Sequence, residues 1–89
     1  MTVYQQKGQE IRQSVKSMIL SYMNSNIHCA PDGYGMKQAE IFHALGLASN
    51  DYQKATRSNQ QYWMIALLYE LQDEGKIELL YERGPWRLK

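Results

Sequence analysis

The sequence predicts an α+β fold in which three helices precede a short C-terminal β-hairpin, and three observations support this prediction. Apolar residues recur at helical spacing in three segments, and each segment ends at a glycine or at short polar residues. Alternating apolar and polar residues follow the last of these glycines, Gly75. The turn sequence Arg83-Gly84-Pro85 interrupts that alternating stretch. The 89 residues are enough for one small core, so a single domain over residues 1–89 is expected.

The first helix is predicted over residues 9–23, and residues 1–8 ahead of it are a candidate disordered segment. Asn24-Ser25-Asn26 ends the helix, because short polar side chains favour turns over helix interiors. A loop with a sharp turn is expected next, and Gly35-Met36 is expected to form a one-residue strand. The apolar stripe of the helix follows helical spacing and consists of Ile11, Val15, Met18, Ile19 and Tyr22.

The second and third helices are predicted from the same kind of apolar spacing. The second is predicted over residues 37–45 and ends at Gly46, a residue that readily takes the left-handed conformation found after helices. The third is expected to begin with Ser58 or Asn59 as its N-cap and to end at Gly75. The hairpin strands are predicted over residues 76–82 and 85–88. The buried stripe of the third helix is expected to be Met64, Leu67, Leu68 and Leu71.

Composition and charge narrow the classes of function. The apolar runs are too short for a membrane span, the N-terminus lacks a signal peptide, and the single cysteine favours a cytoplasmic location. The net charge of +1 is low for a DNA-binding domain. The charge is uneven, however, since residues 52–69 contain Lys54 and Arg57 but no acid, whereas residues 70–82 are strongly acidic. A phosphate-binding surface is therefore expected at the start of the third helix.

The order helix, short strand, helix, helix and hairpin resembles a winged helix-turn-helix DNA-binding domain. The segments MKQAEIFHALGL and YWMIALLYELQDEGKIELLYERGPWRLK carry this resemblance over nearly the whole chain. The pattern YWMIALLYELQDEGKI followed by GPWRL is also similar to the N-terminal winged-helix domain of Mrr-type restriction endonucleases. No carboxylate–lysine motif of an endonuclease is visible, so the resemblance implies a non-catalytic domain that binds double-stranded DNA.

The resemblance places the third helix in the major groove and the hairpin, as a wing, beside it. Amide side chains near the start of such a helix suit reading of base edges, and basic side chains around it suit phosphate contacts. Trp86 is expected in the core under the wing, and Arg87 is expected to balance Glu78 across the hairpin. The candidate DNA-binding residues are Lys37, Lys54, Arg57, Ser58, Asn59, Gln60, Tyr62 and Arg83.

Two other classes of function are alternatives to DNA binding. His28, Cys29, Asp32 and His43 share no metal-ligand spacing and no basic cluster, so no catalytic residue, metal or cofactor is expected. The alternative is a protein-interaction module that uses the hairpin, because adjacent Leu79 and Leu80 cannot both face the core. A homodimer or another protein partner is left open by this pattern.

Overall fold

The computed structural model describes residues 2–47, 57–82 and 84–89, with the side chains of residues 57–62 outside the description. Within those ranges the chain forms α1 (Val3–Ser25), a short 3-10 helix (Ile27–Cys29), α2 (Gln38–Ala44) and α3 (Arg57–Asp73). Strands β1 (Ile77–Leu79) and β2 (Trp86–Leu88) then pair antiparallel as a two-stranded sheet. Three α-helices followed by a C-terminal sheet confirm the predicted α+β class.

Helix α1 begins at Val3, six residues earlier than predicted, because Thr2 caps it. The backbone N–H of Gln5 donates to the Thr2 hydroxyl over 3.1 Å, and the backbone N–H of Thr2 donates to Gln5 Oε1 over 3.0 Å. This reciprocal pair is a capping box, which satisfies two backbone donors at the helix start. Residues 3–8 are therefore helical where a disordered segment was a candidate.

The face that α1 buries differs from the predicted stripe. Its buried residues are Val15, Lys16, Ile19 and Met23, whereas Ile11 and Met18 are exposed. The prediction was wrong at these two positions, because the helix turns the stem of Lys16 inward, where its ammonium meets Glu74. One apolar row of α1 is consequently left outside the core.

Helices α2 and α3 both end at a glycine with positive φ, as predicted. At the end of α2, Gly46 has φ of 74°, and the N–H of Leu47 donates to the carbonyl of Phe42 over 2.9 Å. At the end of α3, Gly75 has φ of 77°, and the N–H of Lys76 donates to Leu71 over 3.0 Å. Both ends are Schellman motifs, in which glycine lets the chain leave without steric cost.

The start of α3 corrects the predicted N-cap. The helix begins at Arg57, which had been assigned to the preceding loop, so Ser58 and Asn59 lie inside its first turn. The predicted buried stripe is confirmed, since Met64, Leu67, Leu68 and Leu71 are all buried.

The sheet is completed by a single bridge from the loop before α2. Met36 and Trp86 exchange two backbone hydrogen bonds of 2.8 Å, which confirms the predicted one-residue strand. Strands β1 and β2 are shorter than predicted, because the chain already turns after the 2.9 Å bond from Leu80 N–H to the Pro85 carbonyl.

The core lies between the helices and this sheet. It comprises Val15, Ile19, Met23, Cys29, Ile41, Phe42, Met64, Leu67, Leu68, Leu71, Ile77 and Trp86.

Candidate nucleic-acid interface

Most of the predicted DNA-binding residues lie at or next to the start of α3. Ser58, Asn59, Gln60 and Tyr62 follow Arg57 in the first turns of that helix, and only their backbone is described. Lys54 and Arg83 fall outside the described residues. Lys37 is exposed at the N-cap of α2, where its backbone N–H donates to Glu40 Oε1 over 3.3 Å.

The described part of α3 exposes one face opposite its buried stripe. Ala66 and Tyr69 lie on this face, and Trp63 is exposed beside it. The Tyr69 ring meets the Trp86 ring edge-on, with centroids 5.4 Å apart and planes at 81°. Ala66 adds almost no bulk, so a groove or a partner surface can approach the helix backbone closely here. This outer face is the surface that the sequence assigned to DNA.

Two carboxylates at the end of α3 are paired with α1. Arg12 Nη2 contacts Glu70, and Lys16 Nζ contacts Glu74. The two cations are four residues apart in α1, and their partner carboxylates are also four residues apart. We call these two contacts the ladder. Because both partners advance together along the chain, α1 and α3 run in the same direction. The acidic end of α3, which the sequence suggested would repel phosphate, is thus partly neutralised from within the fold.

The pKa of the Glu74 carboxyl is lowered by this arrangement. The hydrogen bond from the Lys16 ammonium is the largest cause. Burial, the next largest, opposes it, and the charge of Lys16 with the hydrogen bond and charge of Lys76 lower the pKa further. Lys76 Nζ lies 3.4 Å from Glu74 Oε1. Glu74 therefore stays ionised to lower pH than an ordinary glutamate.

The hairpin carries the cross-strand pair that the sequence predicted. Arg87 Nε donates to Glu78 Oε1 over 2.6 Å, and Arg87 Nη1 donates to the Gly33 carbonyl over 3.0 Å. Arg87 therefore ties β2 both to β1 and to the loop before α2. Trp86 is buried beneath the hairpin, as predicted, whereas Tyr81, two residues after β1, is 73% exposed.

Sequence reasoning missed the ladder between α1 and α3. The partners are 58 positions apart in the chain, so no local spacing relates Arg12 to Glu70 or Lys16 to Glu74. The available signal was the repeat of two cations four residues apart on one helix and two carboxylates four residues apart on another.

Cys29 lies in an environment that lowers the reactivity of its thiol. Cys29 is fully buried, and burial, with the nearby charge of Glu40, raises the pKa of its thiol. A thiol of this kind is protonated at neutral pH and a poor nucleophile. Across residues 2–47, 57–82 and 84–89, no group of three or more His, Cys, Asp or Glu side chains could hold a metal ion. In the same ranges, no helix combines the length and apolarity needed to cross a membrane.

Comparisons of the chain with protein-family models, with curated proteins and with solved structures find no match.

Proposed function

We propose that this protein is a non-catalytic DNA-binding domain of the winged helix-turn-helix type. In this proposal α3 enters the major groove of double-stranded DNA, and the β1–β2 hairpin lies as a wing beside the phosphate backbone. The observation that carries the proposal is the exposed outer face of α3, followed directly by a hairpin that Met36 extends by one bridge. Helices and strands in this order are typical of winged-helix domains.

The ion pairs of the fold support the proposal on electrostatic grounds. Glu70 lies in α3, Glu74 directly follows that helix and Glu78 lies in β1, and each contacts a basic side chain of the same chain. A paired carboxylate repels phosphate less than an isolated one. Basic residues outside these pairs, among them exposed Lys37, are then available for phosphate contacts.

The proposal is tested by titrating a labelled duplex of mixed sequence and following fluorescence anisotropy at low and at physiological salt. We expect binding that weakens as salt rises, because phosphate contacts release counterions. The double substitution Arg57→Ala, Arg83→Ala should weaken binding and lower the magnitude of the salt slope by about 2, or about one per lost contact. Lys7→Ala removes one exposed charge on α1, outside the proposed surface, and should leave the slope unchanged.

A folded protein that binds no duplex at low salt would overturn the proposal. That outcome favours a second function, a protein-interaction module that uses the hairpin. The specific observation behind it is Tyr81, 73% exposed next to the half-buried side chains of Leu79 and Leu80. A large aromatic side chain that the fold does not use is common at protein interfaces.

A further inference from the structure

Tyr69 of α3 connects the outer face of that helix to the hairpin. Its side chain is 45% exposed, and its ring meets the Trp86 ring edge-on, with centroids 5.4 Å apart and planes at 81°. Trp86 is the first residue of β2 and is only 1% exposed. The Tyr69 side chain thus contacts the core beneath the hairpin while it remains partly exposed on the helix surface.

Ring packing, and not a hydrogen bond, holds the Trp86 indole in place. Its Nε1 is buried and has no hydrogen-bond partner in the described part of the chain. An edge-to-face aromatic pair is a directional contact, because the positive edge of one ring meets the negative face of the other. A change in the Tyr69 ring should therefore be transmitted to the indole, since no hydrogen bond fixes the indole independently.

The position of Trp86 in turn affects the position of the hairpin. Its backbone exchanges two hydrogen bonds of 2.8 Å with Met36, and its partner in β1 is Leu79. We call the segment between β1 and β2 the wing turn. A Cβ built at Gly84 would lie 3.8 Å from Trp86 Cδ1, so the wing turn passes close to the indole. A displacement of the indole would consequently displace the wing turn as well.

We propose that Tyr69 is a positioning residue, which holds the wing turn at a fixed place relative to α3 through its ring contact with Trp86. This inference rests on the proposed function, in which α3 and the wing contact one duplex together. Two surfaces whose relative position is fixed in advance bind more tightly, because less freedom is lost on binding. The role belongs to the aromatic ring, so phenylalanine should serve at this position as well as tyrosine.

The first test measures hydrogen exchange of the hairpin amides in the absence of DNA. Tyr69→Leu keeps an apolar side chain but removes the ring, whereas Tyr69→Phe keeps the ring. The reporters are the amides of Leu80 and Trp86, which donate to the carbonyls of Pro85 and Met36. We expect Tyr69→Leu to raise their exchange rates by about two- to tenfold, the factor that an aromatic pair contributes to an equilibrium. Tyr69→Phe should leave these rates unchanged.

Trp63→Leu is the matched control variant for hydrogen exchange. Trp63 is also an aromatic residue of α3 and is 43% exposed, and in the described part of the chain it makes no ring contact with Trp86. The amide of Leu47, which donates to Phe42 at the end of α2, is the control site. Equal acceleration by Tyr69→Leu and Trp63→Leu, or equal acceleration at Leu47 and at the hairpin, would overturn the proposal, because the effect would then be a general loss of stability.

The second test is DNA binding by the same Tyr69 variants, followed by anisotropy over a range of salt concentrations. Tyr69→Leu should weaken binding by up to about tenfold and lower the magnitude of the salt slope by about one, because the wing loses its phosphate contact. Tyr69→Phe should bind like the wild type. Arg83→Ala removes the basic residue of the wing turn, so adding Tyr69→Leu to that variant should not change its slope further.

Each result of the DNA titrations separates the ring contact from other roles of Tyr69. Equal weakening by Tyr69→Phe and Tyr69→Leu would overturn the positioning role, since Tyr69 would then act through its hydroxyl. Wild-type affinity and salt slope in Tyr69→Leu would also overturn it and would leave the proposed function intact. A wild type that binds no duplex would overturn the proposed function together with this role, so the wild-type titration distinguishes the two failures.

Discussion

At the scale of single residues, Gly35 is a position where the fold requires glycine for two separate reasons. Its φ is +82°, and a Cβ there would lie 2.8 Å from the Trp86 carbonyl oxygen and 2.9 Å from Pro85 Cβ. Both the backbone conformation and the space therefore require glycine. The tight approach exists because Met36, the next residue, pairs with Trp86 and closes the sheet. One glycine thus determines whether the loop before α2 can reach the hairpin.

We predict that Gly35→Ala lowers the free energy of unfolding by about 2–5 kcal/mol, from left-handed strain and overpacking together. The matched control is Gly46→Ala, since Gly46 has φ of +74° but nothing within 4 Å of its Cβ. That variant should lose only the strain, about 1–2 kcal/mol. Urea denaturation followed by tryptophan fluorescence measures both. Equal losses in the two variants would mean that the contact with Trp86 costs nothing.

At the scale of elements, the ladder between α1 and α3 makes stability depend on pH. Glu74 has a lowered pKa in the folded state, so its contribution is fully present above the ordinary carboxyl value of 4.5 and is lost as pH falls through the folded value. Protonation of Glu74 would also leave Lys16, whose side chain is mostly buried, without its partner. An unpaired charge at a buried position destabilises the folded state.

Glu74→Gln should accordingly be less stable than the wild type at neutral pH, and the difference should shrink below about pH 4.5, the ordinary pKa of a glutamate side chain. Thermal unfolding at a series of pH values measures this difference. Asp73→Asn is the neighbouring control, since Asp73 is exposed and forms no ion pair in the described part of the chain. A gap between wild type and Glu74→Gln that is constant with pH would contradict the role given to the Lys16 contact.

The elements also differ in how far the sequence determined them. The ends of α2 and α3 were predictable because glycine at Gly46 and Gly75 acts locally, and the pair Arg87–Glu78 followed from hairpin register. The buried face of α1 was not predictable, since Ile11 and Met18 fit helical periodicity as well as Val15 and Ile19 do. Periodicity finds apolar rows but does not distinguish a row for the core from a row for another surface.

At the scale of the whole molecule, the net charge of +1 is low, and the basic residues differ in whether they form ion pairs within the fold. Arg12, Lys16 and Arg87 are used inside the fold, where they hold α1 to α3 and the hairpin to the loop before α2. These cations are engaged by carboxylates and contribute little to phosphate binding, so we expect a single copy to bind DNA weakly and with a shallow salt dependence. Two linked copies would bind more tightly without any new contact, because the second binding event becomes intramolecular.

Duplex length tests whether copies bind DNA singly. We predict that duplexes of about 10 and about 25 base pairs are bound with the same affinity per site, because successive major grooves on one side are about 34 Å apart and single copies would fill them independently. Anisotropy titrations with both duplexes measure the ratio of affinities. Tighter binding per site on the longer duplex would contradict this prediction and would mean that two copies bind it together.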